Sequence, residues 1–334
     1  MKIDVVTGGA GFIGSHMVDR LLSENGGKVR VIDNLSNGNR RNLVQAEGNP
    51  RFEFIEADIA DKAAVAGILD NAGRVFHFAA LADIVPSIEQ PEAYFRANVD
   101  GTFNMLEEAR RAGVERFLYA ASSTCYGIPD SYPTAETADI KPQYPYALTK
   151  NLGEQLVLHW GQIYGLSVLS LRMFNVFGPR ARTGGTYGAV FGVFLAQALA
   201  GEPLTIVGDG EQTRDFTYVT DIIDAFLAAA ASPFAGRAYN VGSGGTYSVN
   251  ELVRLLGAKQ TVHIPKRPGE PDCTFADTTA IKRDLNWCAK VPFADGVRIM
   301  LENIEHWRTA PVWTPESIEV ATKSWFEYLG DSKS

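Results

Sequence analysis

The sequence predicts an α/β fold in which a doubly wound parallel sheet is followed by a smaller mixed α/β lobe. Short apolar segments alternate with amphipathic stretches through the first half of the chain. The apolar segments are rich in Val, Ile and Phe on both faces, as in parallel strands buried between two helical layers. The predicted strands cover residues 2–7, 29–33, 52–56, 74–78, 116–121 and 167–173. The predicted helices cover residues 14–23, 62–70, 98–112 and 148–164.

The pattern changes after Phe174. A helix over 221–231 and a strand over 238–241 could rejoin the first sheet. The helix that starts at Ser248 has Glu251 three residues further on, the spacing of a capping box. Further elements are predicted at 190–200 (helix) and 203–207 (strand). We expect one domain formed by residues 1–171 with about 216–241, and a second formed by 172–215 and 242–330.

Composition and charge exclude several classes of protein. The 334 residues are 46% hydrophobic and 21% charged, which is typical of a globular protein with a sizeable core. The formal net charge of −8 argues against partners such as nucleic acid or an anionic membrane. Three cysteines are too few for a disulfide framework or a metal site, and they favour a reducing compartment. With no long apolar run and no signal peptide, we expect a cytoplasmic protein.

A glycine-rich turn joins the first predicted strand to the first helix. Gly8, Gly11 and Gly14 recur there at three-residue spacing, with a strand before them and a helix after. Without side chains the backbone can approach a pyrophosphate, and the helix N-terminus supplies free N–H groups and a positive dipole end. Asp33 ends the second strand. A carboxylate at this position accepts a hydrogen bond from the ribose 2′-hydroxyl of NAD and repels the 2′-phosphate of NADP. The pattern predicts dinucleotide binding, with NAD favoured over NADP.

Tyr146 and Lys150 form the second chemical signal. Four residues apart on a helix, the phenol and the ammonium share one face and can meet the same ligand. A nearby cation favours the phenolate, so this tyrosine is predicted to act as an acid and base near neutrality. The pair follows a strand that ends in hydroxyl side chains, at Ser122, Ser123 and Thr124.

Taken together, these motifs resemble the extended short-chain dehydrogenase/reductase family, in its nucleotide-sugar epimerase and dehydratase branch. The resemblance covers nearly the whole chain and is strongest to 4-epimerases of UDP-glucose and UDP-N-acetylglucosamine. The motifs that carry it are Gly8–Gly14, Asp33–Asn34, Asp58–Ile59, Phe78–Ala82, Asn98–Thr102, Tyr146–Lys150, Arg172–Arg180, Gly208–Phe216 and Arg267–Pro271.

The resemblance implies a Rossmann domain that binds NAD. Asp58 and Ile59 would flank the adenine, residues 79–81 would line the cofactor phosphates, and Lys150 would hold the nicotinamide ribose. The full predicted cofactor set is Gly8, Gly11, Phe12, Ile13, Gly14, Asp33, Asn34, Asp58, Ile59, Phe78, Ala79, Ala80, Leu81, Asn98 and Lys150.

The same resemblance bears on the reaction. Dehydratases of this branch place Asp and Glu directly after the catalytic hydroxyl, and decarboxylases usually keep the Glu. Here the catalytic hydroxyl falls on Ser122, and the next two positions are Ser123 and Thr124. Because neither is a carboxylic acid, 4,6-dehydration lacks its acid/base pair and decarboxylation is disfavoured. The predicted catalytic set is Tyr146, Lys150, Ser122 and Thr124, which can move one hydride and one proton.

Substrate residues also follow from the resemblance. Arg214 and Arg267 would clamp a diphosphate, where the bidentate guanidinium is favoured over lysine. Thr274 corresponds to a gate position at which a small residue admits an acetamido group. Arg182 falls where uronic-acid epimerases hold a sugar carboxylate, although it is equally well an ordinary basic loop residue. The full predicted set is Ser87, Ser123, Asn175, Arg182, Arg214, Arg267 and Thr274.

Three functions remain open. The first is an NAD-dependent 4-epimerase of UDP-glucose or galactose, a UDP-N-acetylhexosamine or a UDP-uronic acid. The alternative is an NAD-dependent 4-keto-nucleotide-sugar reductase or dehydrogenase, which must exchange its cofactor at each turnover. A dinucleotide-sensing regulatory protein is disfavoured, because such proteins typically lose the tyrosine or the lysine. The resemblance also implies a homodimer that pairs helices 98–112 and 148–164.

Overall fold

The computed structural model describes residues 2–24, 26–184 and 188–330. Its strands are β1 (Ile3–Thr7), β2 (Val29–Asp33), β3 (Phe52–Glu56), β4 (Ala72–His77), β5 (Arg116–Ser122), β6 (Val168–Met173), β7 (Val176–Phe177), β8 (Leu204–Val207), β9 (Thr213–Arg214), β10 (Thr217–Tyr218), β11 (Arg237–Val241), β12 (Tyr247–Ser248) and β13 (Thr261–Ile264). Its α-helices are α1 (Phe12–Ser23), α2 (Ile84–Glu89), α3 (Pro91–Phe95), α4 (Gly101–Ala112), α5 (Pro145–Tyr164), α6 (Val190–Ala200), α7 (Val219–Ala231), α8 (Val249–Leu255), α9 (Thr279–Leu285), α10 (Phe293–Glu302), α11 (Pro315–Ala321) and α12 (Lys323–Leu329).

The main sheet is parallel and doubly wound, as the sequence predicts. In the described part of the chain it contains seven strands in the order β11-β6-β5-β4-β1-β2-β3. Every neighbouring pair runs parallel, with Val6 opposite Val31 on one side and Phe76 on the other. The strand order reverses beside β1, so the carboxyl ends of β1 and β4 border a crevice where ligands bind in such sheets.

Helices cover both faces of the sheet. On one face, Met17 of α1 and Phe226 of α7 pack in the same core cluster as Val6. On the other face, Met105 of α4 packs in a cluster with Val5. The side chains of adjacent strand residues point to opposite faces, which explains why these strands are apolar throughout. Burying each such side chain stabilises the fold by about 1.5–3 kcal/mol.

The second lobe has a separate aromatic core. The ring of Phe177 stacks on that of Phe191 with centroids 4.6 Å apart, and Phe216 stacks on Phe293 at 5.0 Å. Helices α6, α8 and α10 enclose this cluster, and β8 pairs with β13 in a small parallel sheet beside it. The last helix, α12, returns to the first lobe and contacts α2.

One predicted helix is absent. Residues 62–70 form successive turns, although Val65, Ile68 and Leu69 are buried as an amphipathic helix would have buried them. Gly67 has a left-handed backbone with φ of +76°, which interrupts the right-handed helix. The side chain of Asp61 accepts hydrogen bonds from the amides of the next turn and so favours this turn geometry.

Two further properties concern the whole described region. None of its helices is long and apolar enough to cross a membrane. Within residues 2–24, 26–184 and 188–330, no three His, Cys, Asp or Glu side chains form a cluster able to hold a metal ion.

Candidate active site

A cavity of about 510 Å³ lies at the carboxyl ends of the central strands. At one end it is lined by the glycine-rich turn and by Asp33 and Asp58. At the other end it is lined by Ser122, Tyr146 and Arg182. The cavity therefore connects the two sets of residues that carry the chemical signals of the sequence.

The glycines of the first turn are required by close backbone packing. Gly8 has a φ of +68°, and a Cβ there would lie 2.7 Å from the backbone nitrogen of Ala79. A Cβ on Gly14 would lie 2.2 Å from the carbonyl oxygen of Gly8. Gly11 precedes α1 and has no side chain with which to cap the first N–H groups of this helix. Phe12 and Ile13 line the cavity beside this free helix end, which suits a phosphate.

Asp33 lies at the end of β2 and organises the wall of the cavity. One carboxylate oxygen accepts a hydrogen bond from the amide of Ala10 at 2.9 Å, and the other accepts one from the amide of Leu35 at 2.8 Å. Burial is the main cause of the raised pKa of this carboxyl. Asn34 lines the cavity beside it. A carboxylate fixed in this way can accept hydrogen bonds from ribose hydroxyls with its remaining lone pairs.

Most of the other predicted cofactor residues also line the cavity. They are Asp58, Ile59, Phe78, Ala79, Ala80, Leu81 and Lys150. Asn98 does not line it, because its side chain lies behind the wall, and the residue is only 1% exposed. The Asn98 amide accepts from the backbone N–H of Leu81 at 2.8 Å and donates to its carbonyl at 3.0 Å. Asn98 thus holds the Leu81 backbone that lines the cavity.

The predicted catalytic side chains lie together at the other end. Ser122 ends β5, and Tyr146 lies in the first turn of α5, where its phenol shares a hydrogen bond with the Ser122 hydroxyl. The hydroxyl of Thr124 donates to Ser122 at 2.9 Å. Lys150 lies one turn further along α5, and its ammonium sits 4.3 Å from the centre of the Tyr119 ring. The structure thus brings Ser122, Thr124 and Tyr146 into hydrogen-bonding contact, with Lys150 one turn away on α5.

The electrostatics of the cluster differ from the sequence prediction. The pKa of Tyr146 is raised, chiefly by burial, whereas the neighbouring lysine was expected to lower it; the Ser122 hydrogen bond opposes the rise. Burial also lowers the pKa of Lys150 to about 7. The removal of water is thus the largest cause of the pKa shift at both groups.

The predicted substrate residues divide into several groups. Ser123, Asn175 and Arg182 line the cavity. Ser87 does not, because it is fully buried and its hydroxyl donates to the carbonyl of Ile84 at 2.6 Å. The hydroxyl of Thr274 donates to the side chain of Asn175 at 2.6 Å. Thr274 is not among the described residues that line the cavity, but it contacts Asn175, which is.

The two predicted clamp arginines meet a shared carboxylate. Arg214 donates to Glu270 at 2.7 Å, and a guanidinium nitrogen of Arg267 lies 3.8 Å from the other oxygen of Glu270. Arg214 and Glu270 line a second cavity of about 290 Å³. The Arg267 guanidinium also lies 5.4 Å from the ring of Trp325 on α12. The structure brings the two arginines together, but outside the wall of the first cavity.

Sequence reasoning missed three residues of this region, namely Asp83, Glu270 and Trp325. Asp83 lines the cavity near Tyr146 and is ion-paired with Arg182. Each of the three contacts a residue far away along the chain. The separations are 99 residues for Asp83 and Arg182, 56 for Glu270 and Arg214, and 57 for Trp325 and Pro268. No spacing rule relates residues so far apart, although the acidic residue of the Arg-Pro-Gly-Glu segment was a usable signal for Glu270.

Comparisons with known proteins agree with this site. The sequence model of the NAD dependent epimerase/dehydratase family matches residues 5–242. The UDP-glucose 4-epimerase of Mycolicibacterium smegmatis is 37% identical over 306 residues, covering 89% of this chain and 97% of that protein. UDP-glucuronic acid decarboxylase 1 of Arabidopsis thaliana is 34% identical over 312 residues, covering 90% and 69%. The structure of a Thermotoga maritima UDP-glucose 4-epimerase with UDP-glucose aligns with a TM-score of 0.84 at 35% identity, covering 92% of this chain and 98% of that one.

Fold and site together define an enzyme of the extended short-chain dehydrogenase/reductase class. Within that class, the chain belongs to the NAD-dependent epimerase/dehydratase family, since the family match spans more than half of it. The predicted family, fold and cofactor, NAD, are thereby confirmed. Three features suit this cofactor: the glycine turn without side chains, the N-terminus of α1 and the carboxylate of Asp33.

Proposed function

We propose that the protein is a 4-epimerase of a UDP-sugar that keeps NAD bound throughout its cycle. The observation that carries this proposal is the pair of hydroxyl residues, Ser123 and Thr124, that follows Ser122 beside Tyr146. A dehydratase of the family would need carboxylic acids at these two positions. Epimerisation needs only a proton acceptor, a hydride acceptor and a partner for the sugar oxygen.

The other carboxylates of the cavity do not replace the missing acids. Among the described residues that line it, the acidic ones are Asp33, Asp58 and Asp83. Asp33 and Asp58 lie at the end with the glycine turn, away from Tyr146. Asp83 lies near Tyr146 but is paired with Arg182. This arrangement supports redox-neutral epimerisation over elimination of water or loss of carbon dioxide.

The catalytic cycle assigns one task to each side chain. NAD, when bound, supplies the acceptor for the hydride at C4 of the sugar and its source on return. Tyr146 takes the proton from the 4-hydroxyl and later gives it back, while Ser122 donates a hydrogen bond to the same oxygen. The intermediate is a 4-keto sugar that must turn over within the site. Lys150 lies one turn further along α5 and is proposed to favour the phenolate of Tyr146 whenever the lysine carries its proton.

The substrate diphosphate is proposed to lie between the lobes, near Arg214 and Arg267. Guanidinium groups pair with phosphate in two parallel hydrogen bonds, and both groups are already oriented by Glu270. The second domain, formed by 172–215 and 242–330, would then hold the nucleotide, while the first holds NAD. This division keeps the diphosphate fixed while the 4-keto sugar turns.

Incubation with substrate in the absence of added NAD tests the proposal. The purified protein is mixed separately with UDP-glucose, UDP-N-acetylglucosamine and UDP-glucuronate, and the C4 epimers are followed by NMR. We expect at least one substrate to reach an equilibrium mixture of epimers without added cofactor. Conversion that depends on a stoichiometric supply of reduced or oxidised cofactor would instead establish the alternative, a 4-keto-sugar reductase or dehydrogenase.

We also propose that the protein is a cytoplasmic homodimer, paired through α4 and α5. Several apolar side chains on these helices are exposed in the single chain, including Phe103 (38%), Leu148 (45%) and Ile163 (55%). Their exposure supports an interface there, because a second copy would remove them from water.

A further inference from the structure

Asp83 stands beside the proposed catalytic tyrosine and is not used as a helix cap. It occupies the N-cap position of α2, where an aspartate ordinarily accepts hydrogen bonds from the first turn, but its side chain makes none. The carboxylate pairs instead with the guanidinium of Arg182. The backbone N–H of Asp83 donates to the hydroxyl of Tyr94 at 3.0 Å, and the Tyr94 ring meets that of Tyr146 edge-on at 6.4 Å. The acidic group is thus held near Tyr146, the proposed catalytic tyrosine.

The charged side chains at the Tyr146 end of the cavity are one ion pair and one separate lysine. Of the described residues that line it near Tyr146, the charged ones are Lys150, Arg182 and Asp83. Lys150 is buried, with its ammonium against the Tyr119 ring, whereas Arg182 is the more exposed cation at this end. Arg182 and Asp83 neutralise one another. The Asp83 side chain is only 22% exposed, so salt screens its charge weakly.

The ion pair of Asp83 and Arg182 should disfavour a sugar that carries a carboxylate and accept an uncharged sugar. The carboxylate of a uronic acid would need the guanidinium of Arg182, which Asp83 already occupies, and it would lie close to a second negative charge. An uncharged hexose or N-acetylhexosamine needs only hydrogen bonds, which the ion pair can both accept and donate. With a uronate bound, two carboxylates would share one guanidinium, and the negative charge left unpaired disfavours this substrate.

We propose that Asp83 excludes UDP-uronic acids. The substrates are then UDP-hexoses or UDP-N-acetylhexosamines, whose sugar rings carry no charge. This inference rests on the proposed function and narrows it to one class of sugar. Arg182, which the family resemblance associates with a sugar carboxylate, serves here to hold the carboxylate of Asp83. Asp83 is therefore a specificity-determining residue of the site.

Calorimetric titration of the NAD-loaded protein tests the proposal without requiring turnover. UDP, UDP-glucose, UDP-N-acetylglucosamine and UDP-glucuronate are titrated into the wild type and into Asp83→Asn. We expect wild type to bind UDP-glucuronate about tenfold more weakly than UDP-glucose. Asp83→Asn should improve the affinity for UDP-glucuronate by about tenfold and leave that for UDP nearly unchanged. The double variant Asp83→Asn with Arg182→Gln should lose this gain, because the freed guanidinium is what attracts the uronate.

A matched control is Glu89→Gln, which removes one negative charge at the other end of α2, where the glutamine oxygen can still accept the hydrogen bond from Ser324. It should not change the preference between the sugars. Equal binding of UDP-glucuronate and UDP-glucose by wild type, or no gain in Asp83→Asn, would overturn the exclusion while leaving the proposed epimerase intact. If no UDP-sugar binds to the wild type at all, the proposed function fails and the inference fails with it.

Discussion

The indole N–H of Trp325 donates a hydrogen bond to the carbonyl of Pro268 at 2.8 Å. This contact ties α12, near the end of the described chain, to the segment that carries Arg267. The same indole ring lies 5.4 Å from the Arg267 guanidinium and 6.3 Å from the ring of Tyr144. Tyr144 in turn stacks parallel to Tyr146, with an interplanar angle of 7°. Trp325 therefore contacts both Arg267 of the proposed diphosphate clamp and Tyr144, which stacks on the proposed catalytic tyrosine.

Replacing Trp325 should weaken substrate binding. In Trp325→Ala, we expect KM for the UDP-sugar to rise about tenfold with a smaller change in kcat, since Arg267 loses its support. The free energy of unfolding should fall by about 3–5 kcal/mol, as for other buried large-to-small replacements. Trp325→Phe should keep most of the packing and lose only the hydrogen bond. Phe326→Ala, at a 38% exposed position of the same helix, is the control; an equal effect there would contradict the positioning role.

Tyr146→Phe should nearly abolish turnover while UDP still binds. The phenol is the proposed proton acceptor, and the loss of a general base commonly costs about 10²–10⁴-fold in rate. Turnover is measured by NMR of the C4 epimers and binding by titration with UDP. Tyr144→Phe provides the matched control, because Tyr144 precedes α5 and has no lysine four residues on. If Tyr146→Phe kept most of its activity, the assignment of the base would be wrong.

The buried Lys150 predicts a dependence of stability on pH. Burial lowers its pKa from the ordinary 10.5 to about 7, so between these values the unfolded chain holds a proton that the folded chain has lost. The free energy of unfolding should therefore rise with pH in this window, by up to about 1.4 kcal/mol per pH unit from this group. Below pH 7 its contribution becomes constant, because both states are then protonated.

Lys150→Met isolates that contribution. Denaturant unfolding of the wild type and the variant, without added cofactor, is compared from neutral to alkaline pH. The difference between their unfolding free energies should change across this range, with the wild type gaining relative to the variant as the pH rises. Parallel curves for the two proteins would show that Lys150 is not desolvated in the folded state.

The proposed homodimer predicts a change of mass on substitution at α5. Leu148 is 45% exposed on the helix expected to form the interface. In Leu148→Glu we expect the molar mass from light scattering to fall to that of one chain, because a buried unpaired carboxylate would be placed in the interface. Val320→Glu, at a 77% exposed site on α11, should leave the mass unchanged. A wild type that is already a single chain would refute the interface.

Local patterns along the chain determine much of this protein. The parallel sheet follows from strands that are apolar on both faces, and the cofactor turn follows from Gly8, Gly11 and Gly14 between a strand and a helix. Tyr146 and Lys150 could be paired because a spacing of four puts two residues on one side of a helix. In each case the relationship lies within one element or one turn, so spacing along the chain sets the geometry.

Only the tertiary structure decided the rest, because burial and long-range charge pairing depend on which surfaces meet. Asp83 and Arg182 are 99 residues apart, and Trp325 and Pro268 are 57 apart, so no local pattern joins them. The raised pKa of Tyr146 reflects the removal of water, which the sequence does not show. Ser87 has a hydroxyl that could bind a ligand, but the residue is fully buried and the hydroxyl donates to the carbonyl of Ile84. Spacing thus identified the groups proposed to do the chemistry, and packing set their charge, their access and their neighbours.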